Sequence, residues 1–151
     1  MTSCSPRLAI VVVFMAGVGI ACSSPEYRPL DVGVCLAESA DVVGQREADP
    51  PRVSCSEPHR YEVYARGDLG LDGSWPGQAA ADAASKAFCY DEFTTGVGTA
   101  PEDLPDGVDV VTIGPTEQSW NTARDRSVEC IVRVPPDTTG RFAEPGRSTS
   151  S

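Results

Sequence analysis

Residues 53–64 read V-S-C-S-E-P-H-R-Y-E-V-Y and contain the only histidine of the chain. From His59 onward the residue types alternate, which is typical of a β-strand with one buried face. Pro58 has no amide hydrogen and therefore suits the entry to such a strand. The face that we expect to be buried carries His59, Tyr61, Val63 and Ala65. The opposite face, which we expect to be polar and exposed, carries Arg60, Glu62, Tyr64 and Arg66.

His59 has the most chemical options in this stretch. A histidine near a cysteine and a glutamate can act as a general base or bind a metal. We expect a histidine at the start of a strand, partly buried and hydrogen-bonded to the backbone. Glu62 follows three positions later, so a regular strand places the two side chains on opposite faces, which argues against an acid–base pair. We predict no catalytic residue, no metal and no cofactor.

The charge of the chain excludes two classes of partner. Its 151 residues, enough for one domain, carry a formal net charge of −10. Nucleic-acid binding requires a basic face, and so does attraction to anionic lipid headgroups. We therefore expect no nucleic-acid partner.

The first 21 residues have the features of a signal peptide. Arg7 supplies a positive start, and residues 8–20 form an apolar run that is shorter than the about twenty residues needed to span a membrane. The sequence G-I-A-C-S-S-P at residues 19–25 resembles a bacterial lipobox, in which Cys22 becomes the lipidated N-terminus. Ordinary signal-peptidase cleavage near Ala21 is one alternative. An uncleaved signal anchor is another, which the short apolar run disfavours.

This N-terminus predicts where the protein is located. We expect a lipid anchor on Cys22 and a polar tether over residues 22–31, which would hold the domain at the outer face of the cytoplasmic membrane. Acyl chains would supply the attachment, so no basic patch is needed. The partners predicted on this basis are the membrane itself and proteins of the cell envelope or of division.

The cysteines predict a disulfide framework. Cys4 leaves with the signal peptide and Cys22 takes the lipid, so four of the six cysteines remain. An even number of cysteines in an exported chain indicates disulfides. The predicted pairs are Cys35–Cys55 and Cys89–Cys130, each contributing about 3 to 4 kcal/mol. The main alternative is Cys55–Cys130 with Cys35–Cys89.

The remaining patterns predict an α+β fold. Alanine-rich residues 78–95 form the one convincing helix. Three strands before this helix and two after it indicate a small antiparallel sheet with one main helix packed on one face. The domain is expected to span residues 32–134. Residues 135–151 are poor in hydrophobic side chains and are predicted to be a disordered tail.

The last predicted strand, residues 126–134, alternates cleanly. Its inward face is expected to carry Val128, Cys130, Val132 and Val134. Its outward face is expected to carry Ser127, Glu129, Ile131 and Arg133.

Six side chains are candidates for binding a partner. They are His59, Arg60, Glu62, Tyr64, Trp75 and Trp120. Trp75 is expected to cover one end of the core, with a place in a ligand groove as the alternative.

Several short motifs together resemble the septum-formation domain family of exported and membrane-anchored proteins of actinobacteria. The motifs are Gly33-x-Cys35, Val53-x-Cys55-x-x-Pro58-His59-x-x-Glu62-Val63, Pro76-Gly77, Cys89, Pro115-Thr116-x-x-x-Trp120 and Arg126-x-Val128-x-Cys130. The stretch after Trp120 departs from the family pattern by one residue in spacing. The resemblance implies an exported domain with a disulfide framework and a role at the division septum, and it implies no reaction.

We therefore expect a non-enzymatic envelope lipoprotein that binds a partner, in connection with cell division. A structural surface lipoprotein without a specific ligand is the first alternative. A hydrolase that uses His59 is the second.

Overall fold

The computed structural model describes residues 29–38, residue 42 and residues 50–143. The predicted signal peptide, Cys22 and most of the tether lie outside these residues. In the part of the chain that is described, no helix has the length and the apolar character needed to cross a membrane.

A five-stranded antiparallel sheet forms the centre of the domain. Its strands are β1 (Cys35–Leu36), β2 (Arg52–Val53), β3 (His59–Asp68), β4 (Asp109–Ile113) and β5 (Ser127–Thr138). They lie in the order β2-β1-β3-β5-β4. The long strands β3 and β5 pair in the middle, as expected for the two segments with the clearest alternation. The predicted α+β class and antiparallel sheet are confirmed.

Within the described residues, three α-helices and one short 3₁₀ helix (Pro101–Asp103) accompany the sheet. The α-helices are α1 (Gln78–Asp91), α2 (Phe93–Val97) and α3 (Glu117–Ala123). The single helix predicted at residues 78–95 is therefore two helices, divided at Glu92. Thr116 caps α3, because its Oγ1 accepts a hydrogen bond from Ser119 N while Ser119 Oγ accepts one from Thr116 N. This short helix ends three residues beyond Trp120.

Both faces of the sheet are buried. On one face, α1 and α2 cover a cluster that includes Tyr64, Phe93, Cys130 and Val132. On the other face, the segment before β1 contributes Leu30 to a cluster with Leu36, Val42, Tyr61, Val63, Ile113 and Ile131. The prediction of an exposed polar face on β3 was wrong for Glu62 and Tyr64, which are 0% and 2% exposed. On β5, Glu129 and Ile131 are buried as well, against expectation.

Two irregularities in the pairing of β3 with β5 explain part of this difference. Val63 pairs with Ile131 and Ala65 with Cys130, so Tyr64 is an additional residue in β3. Such a bulge shifts the faces of the strand by one position. Tyr64 and Ala65 consequently both join the cluster beneath the helices.

The second irregularity lies at residues 135–137. His59 pairs with Thr138 and Tyr61 with Arg133, so β5 has three more residues than β3 needs in this interval. Two of them are prolines, which lack the amide hydrogen of a regular ladder. Because Thr138 still pairs with His59, the strand continues past Pro135. The prediction that the fold ends at residue 134 was wrong.

Two disulfides connect the sheet to its surroundings. Cys35–Cys55 links β1 to the loop after β2, and Cys89–Cys130 links α1 to β5. In both pairs the Cα atoms are 5.3 Å apart, within the usual range. The predicted connectivity is confirmed.

Tyr64 occupies the centre of the helix-covered face. Its hydroxyl donates a hydrogen bond of 2.7 Å to the carbonyl oxygen of Cys89. Its ring meets the ring of Phe93 edge to face, with centroids 5.3 Å apart. A Cβ atom added to Gly96 would lie 2.8 Å from the Tyr64 ring and from its backbone oxygen. The absence of a side chain at Gly96 therefore allows α2 to approach β3.

Gly96→Ala should destabilise the domain by about 1 to 3 kcal/mol, because the new methyl group overlaps the backbone of β3. The measurement is chemical denaturation followed by circular dichroism. Thr95→Ala, at an exposed neighbour in the same helix, is the matched control and should change the midpoint little. Equal midpoints for the two variants would contradict the close packing of α2.

Stability should also fall at alkaline pH. Burial, followed by the negative charges of ionised Tyr90 and Glu92, raises the pKa of the Tyr64 hydroxyl well above its ordinary value. The unfolded chain ionises this group near pH 10 while the folded chain keeps the proton. Its contribution to the free energy of unfolding is therefore complete below about pH 10 and declines above it.

Tyr64→Phe should reduce this decline, at a cost of about 1 kcal/mol at neutral pH for the lost hydrogen bond. The test compares denaturant midpoints of wild type and variant at about pH 9 and pH 11. Tyr90→Phe removes one of the charges that raise this pKa, so it should reduce the decline less than Tyr64→Phe does. An identical pH dependence of stability in wild type and Tyr64→Phe would show that the Tyr64 hydroxyl does not cause the alkaline loss of stability.

Candidate functional site

His59 and Glu62 form a buried pair at the start of β3. His59 Nε2 lies 2.8 Å from Glu62 Oε1, and the two residues are 1% and 0% exposed. The prediction that they lie on opposite faces was wrong. It assumed a regular strand, whereas the pairing of β3 with β5 is irregular between His59 and Tyr61. The irregular start of the strand allows both side chains to point to the same side.

The hydrogen bonds of His59 define its orientation. Nδ1 lies 2.9 Å from the carbonyl oxygen of Glu57. A carbonyl can only accept, so Nδ1 carries a hydrogen and Nε2 faces the Glu62 carboxyl group. A proton must lie between Nε2 and Oε1, because two acceptors at 2.8 Å would repel each other. The bond to Glu57 O is the backbone contact expected for a histidine at a strand start, but His59 is fully buried and not partly buried as expected.

Glu62 also holds the C-terminal end of the described chain. Its Oε1 accepts a hydrogen bond of 2.8 Å from the amide of Phe142, and its Oε2 accepts one of 3.0 Å from the amide of Ala143. We call residues 139–143 the C-terminal strap. Two further bonds fasten it, from Gly140 N to Cys55 O at 2.7 Å and from the Arg141 side chain to Gly33 O at 2.9 Å.

The strap corrects the predicted disordered tail. Ala143 is 1% exposed and packs in the cluster beneath the helices. Residues 135–143 therefore belong to the fold, and residues 144–151 lie outside the described residues. The composition of the tail could not reveal this order, because the bonds come from a carboxylate 80 residues earlier in the sequence.

A disulfide lies directly beside the pair. Cys35 Sγ, a ring nitrogen of His59 and a carboxylate oxygen of Glu62 all lie within 4.8 Å of one another. Cys35 is 1% exposed, whereas its partner Cys55 is half-buried. We call Cys35, Cys55, His59 and Glu62 the buried cluster. Three of its members belong to the motif Cys55-x-x-Pro58-His59-x-x-Glu62.

The two tryptophans meet at another place in the domain. Their rings pack edge to face with centroids 5.4 Å apart, and Trp120 Nε1 donates to Gly73 O at 3.2 Å. The guanidinium of Arg126 lies 3.2 Å from the centre of the Trp120 ring. Trp120 is 2% exposed, so it is a packing residue, while Trp75 remains half-buried at the surface.

Arg126 is a residue of this corner to which sequence reasoning gave no role. Its Nε donates to Leu71 O at 2.9 Å, and its other nitrogens contact the carbonyls of Gly73 and Trp120. It thereby fastens the turn-rich segment before α1. The only sign in the sequence that Arg126 has a role was its place in the motif Arg126-x-Val128-x-Cys130.

The remaining candidate residues do not join the buried cluster as a binding surface. Arg60 is half-buried and its guanidinium donates to the carbonyl oxygen of Val134. Tyr64 is bonded to Cys89 O beneath the helices. Cys22, the predicted lipid site, lies outside the described residues.

Glu62→Gln should release the strap. An amide offers one oxygen in place of two, and its NH₂ group would face an N–H donor, so at least one buried bond is lost. We expect a destabilisation of about 2 kcal/mol and faster hydrogen exchange at the amides of Phe142 and Ala143. Glu102→Gln, at an exposed glutamate, is the control. Unchanged protection of both amides in Glu62→Gln would show that the carboxylate does not hold the strap.

Comparison with known proteins gave one result. No curated protein and no solved structure matched the chain. The profile of a family described as septum formation matches residues 25–130, which include the buried cluster and both disulfides. The match covers more than half of the chain and ends before the C-terminal strap. The chain therefore belongs to the septum-formation family.

Proposed function

We propose that the chain is an exported, lipid-anchored module of the cell envelope that binds a partner during septum formation and catalyses no reaction. The family description supports the link to septum formation. The apolar run at residues 8–20, followed by Cys22, supports export and anchoring. The proposed partner is another protein of the envelope or of the division machinery.

The observation that carries the proposed location is the pair of disulfides. All four cysteines of the described residues are bonded, as Cys35–Cys55 and Cys89–Cys130. Disulfides persist in oxidising compartments and are rare in the cytosol. A domain braced in this way is suited to the outer face of the membrane.

The hydrogen bonds of the buried cluster support a non-catalytic role for His59 and Glu62. Both nitrogens of His59 are engaged, one with Glu57 O and one with Glu62. Both oxygens of Glu62 accept hydrogen bonds, and neither side chain is accessible to a substrate in this state. Their polar atoms stabilise the fold, which leaves partner binding to the exposed surface.

Cross-linking at exposed side chains tests this proposal. Tyr90 on α1 and Val32 before β1 are large hydrophobic side chains that are 56% and 46% exposed. A photo-reactive amino acid at either position of the anchored, full-length protein should capture one recurring envelope or division protein in growing cells. The same amino acid at Asp103, an exposed acidic position, is the matched control.

Cys22→Ser provides a second control. This variant should appear in the soluble fraction and should lose the cross-link, because it lacks the lipid anchor. Absence of a recurring partner at both positions, together with normal septa in a deletion strain, would contradict the proposal. Capture at all three positions alike would indicate crowding rather than recognition.

A further inference from the structure

The buried cluster contains the side-chain types that bind zinc. A sulfur, an imidazole nitrogen and a carboxylate oxygen, from Cys35, His59 and Glu62, lie within 4.8 Å of one another. Cys55 adds a second sulfur, because it is bonded to Cys35. Two cysteines, a histidine and a carboxylate make the four ligands of a tetrahedral Zn²⁺ site. In the oxidised chain the two sulfurs bond each other, so neither is a thiolate ligand.

The outer contacts of these side chains resemble those of metal ligands. A metal-binding histidine typically donates its second ring N–H to a carbonyl or carboxylate, which fixes the ring and directs the other nitrogen to the metal. His59 has this arrangement, with Nδ1 on Glu57 O and Nε2 directed into the cluster. Ligating carboxylates are also hydrogen-bonded, and Glu62 accepts the amides of Phe142 and Ala143.

We propose that reduction of Cys35–Cys55 converts the buried cluster into a Zn²⁺ site with Cys35, Cys55, His59 and Glu62 as ligands. A dithiol supplies the two electrons. The disulfide, the dithiol and Zn²⁺ give a zinc dithiolate, the oxidised dithiol and two protons, together with any proton held on His59 Nε2. Oxidation of the site reverses the reaction and expels the metal. This inference is independent of the proposed function.

The ligand atoms of Cys35, His59 and Glu62 already lie within 4.8 Å of one another, and Cys55 Sγ would move to join them. In a tetrahedral site with Zn–S of about 2.3 Å and Zn–N of about 2.0 Å, the ligand atoms are about 3.3 to 3.8 Å apart. His59 Nε2 and Glu62 Oε1, now 2.8 Å apart, would separate slightly as the metal replaces their shared proton. The two sulfurs would move apart once their bond is broken.

Burial distinguishes the two disulfides of the domain. Cys89 and Cys130 are both 0% exposed, whereas Cys55 is half-buried and lies in a loop. A thiolate must reach a sulfur atom to attack it. A mild dithiol should therefore attack Cys55 Sγ, form a mixed disulfide there and expel Cys35 as a thiolate. The second thiol of the reductant then displaces Cys55 and closes the oxidised dithiol, while Cys89–Cys130 stays intact.

The test uses the full chain with Cys4→Ser and Cys22→Ser, so that only the four disulfide cysteines remain. The protein is reduced mildly, freed of reductant without air and titrated with Co²⁺, which reports thiolate coordination by its charge-transfer and visible bands. Alkylation and mass spectrometry identify the reduced pair. We expect one Co²⁺ per reduced chain, displaced by Zn²⁺, and no such bands in the oxidised chain.

Two variants test the other ligands. His59→Ala and Glu62→Ala should each weaken Zn²⁺ binding by about tenfold or more, since each removes a ligand. Circular dichroism identifies a variant that fails to fold. The comparison of reduced with oxidised wild type tests the proposal without either variant. Glu102→Gln changes an exposed carboxylate outside the cluster and should bind Zn²⁺ as wild type does.

Three results would each overturn the proposal. The first is a reduced, folded chain that binds neither Co²⁺ nor Zn²⁺. The second is equal binding by the oxidised chain or by folded His59→Ala and Glu62→Ala variants. The third is reduction of Cys89–Cys130 in place of Cys35–Cys55.

Discussion

The carboxylate of Glu62 is the group on which three segments of the domain depend. It pairs with His59, which in turn fixes the bend before β3 through Glu57 O, and it accepts the amides of Phe142 and Ala143. A buried carboxylate without partners is very costly, and the cost disappears only when all of its donors are present. The bend, the strand and the C-terminal strap are therefore stable together and not separately.

The disulfides reinforce two regions that the sheet alone would hold weakly. β1 and β2 have two residues each, too few to form a stable edge by backbone pairing. Cys35–Cys55 joins β1 to the loop that follows β2 and so holds this edge of the sheet together beside Glu62. Cys89–Cys130 performs the corresponding task for the helices, since it connects α1 to the central strand β5. A small domain with a modest core gains a large part of its stability from such links.

Local patterns in the sequence predicted the sheet, the main helix and both disulfides, because each depends on periodicity, helix propensity or the even number of cysteines outside the predicted signal peptide and lipid site. The pairing of His59 with Glu62 could not be predicted in this way. It depends on an irregular register with β5, whose additional residues include Pro135. The strap was missed for a related reason, since its order comes from a distant carboxylate and not from its own composition. The burial of Tyr64 could not be predicted either, because it depends on a bulge in β3 and on the covering of both faces of the sheet.

The position of β5 in the sheet has a consequence for the order in which the domain can form. β5 is the last strand in the sequence, yet it lies between β3 and β4. Until β5 has joined the sheet, β4 has no neighbouring strand, and Cys130 cannot meet Cys89. The early strands then present unpaired edges and half of a core. Assembly must therefore wait for nearly the whole chain, so that folding is a single late event governed by contacts distant in sequence.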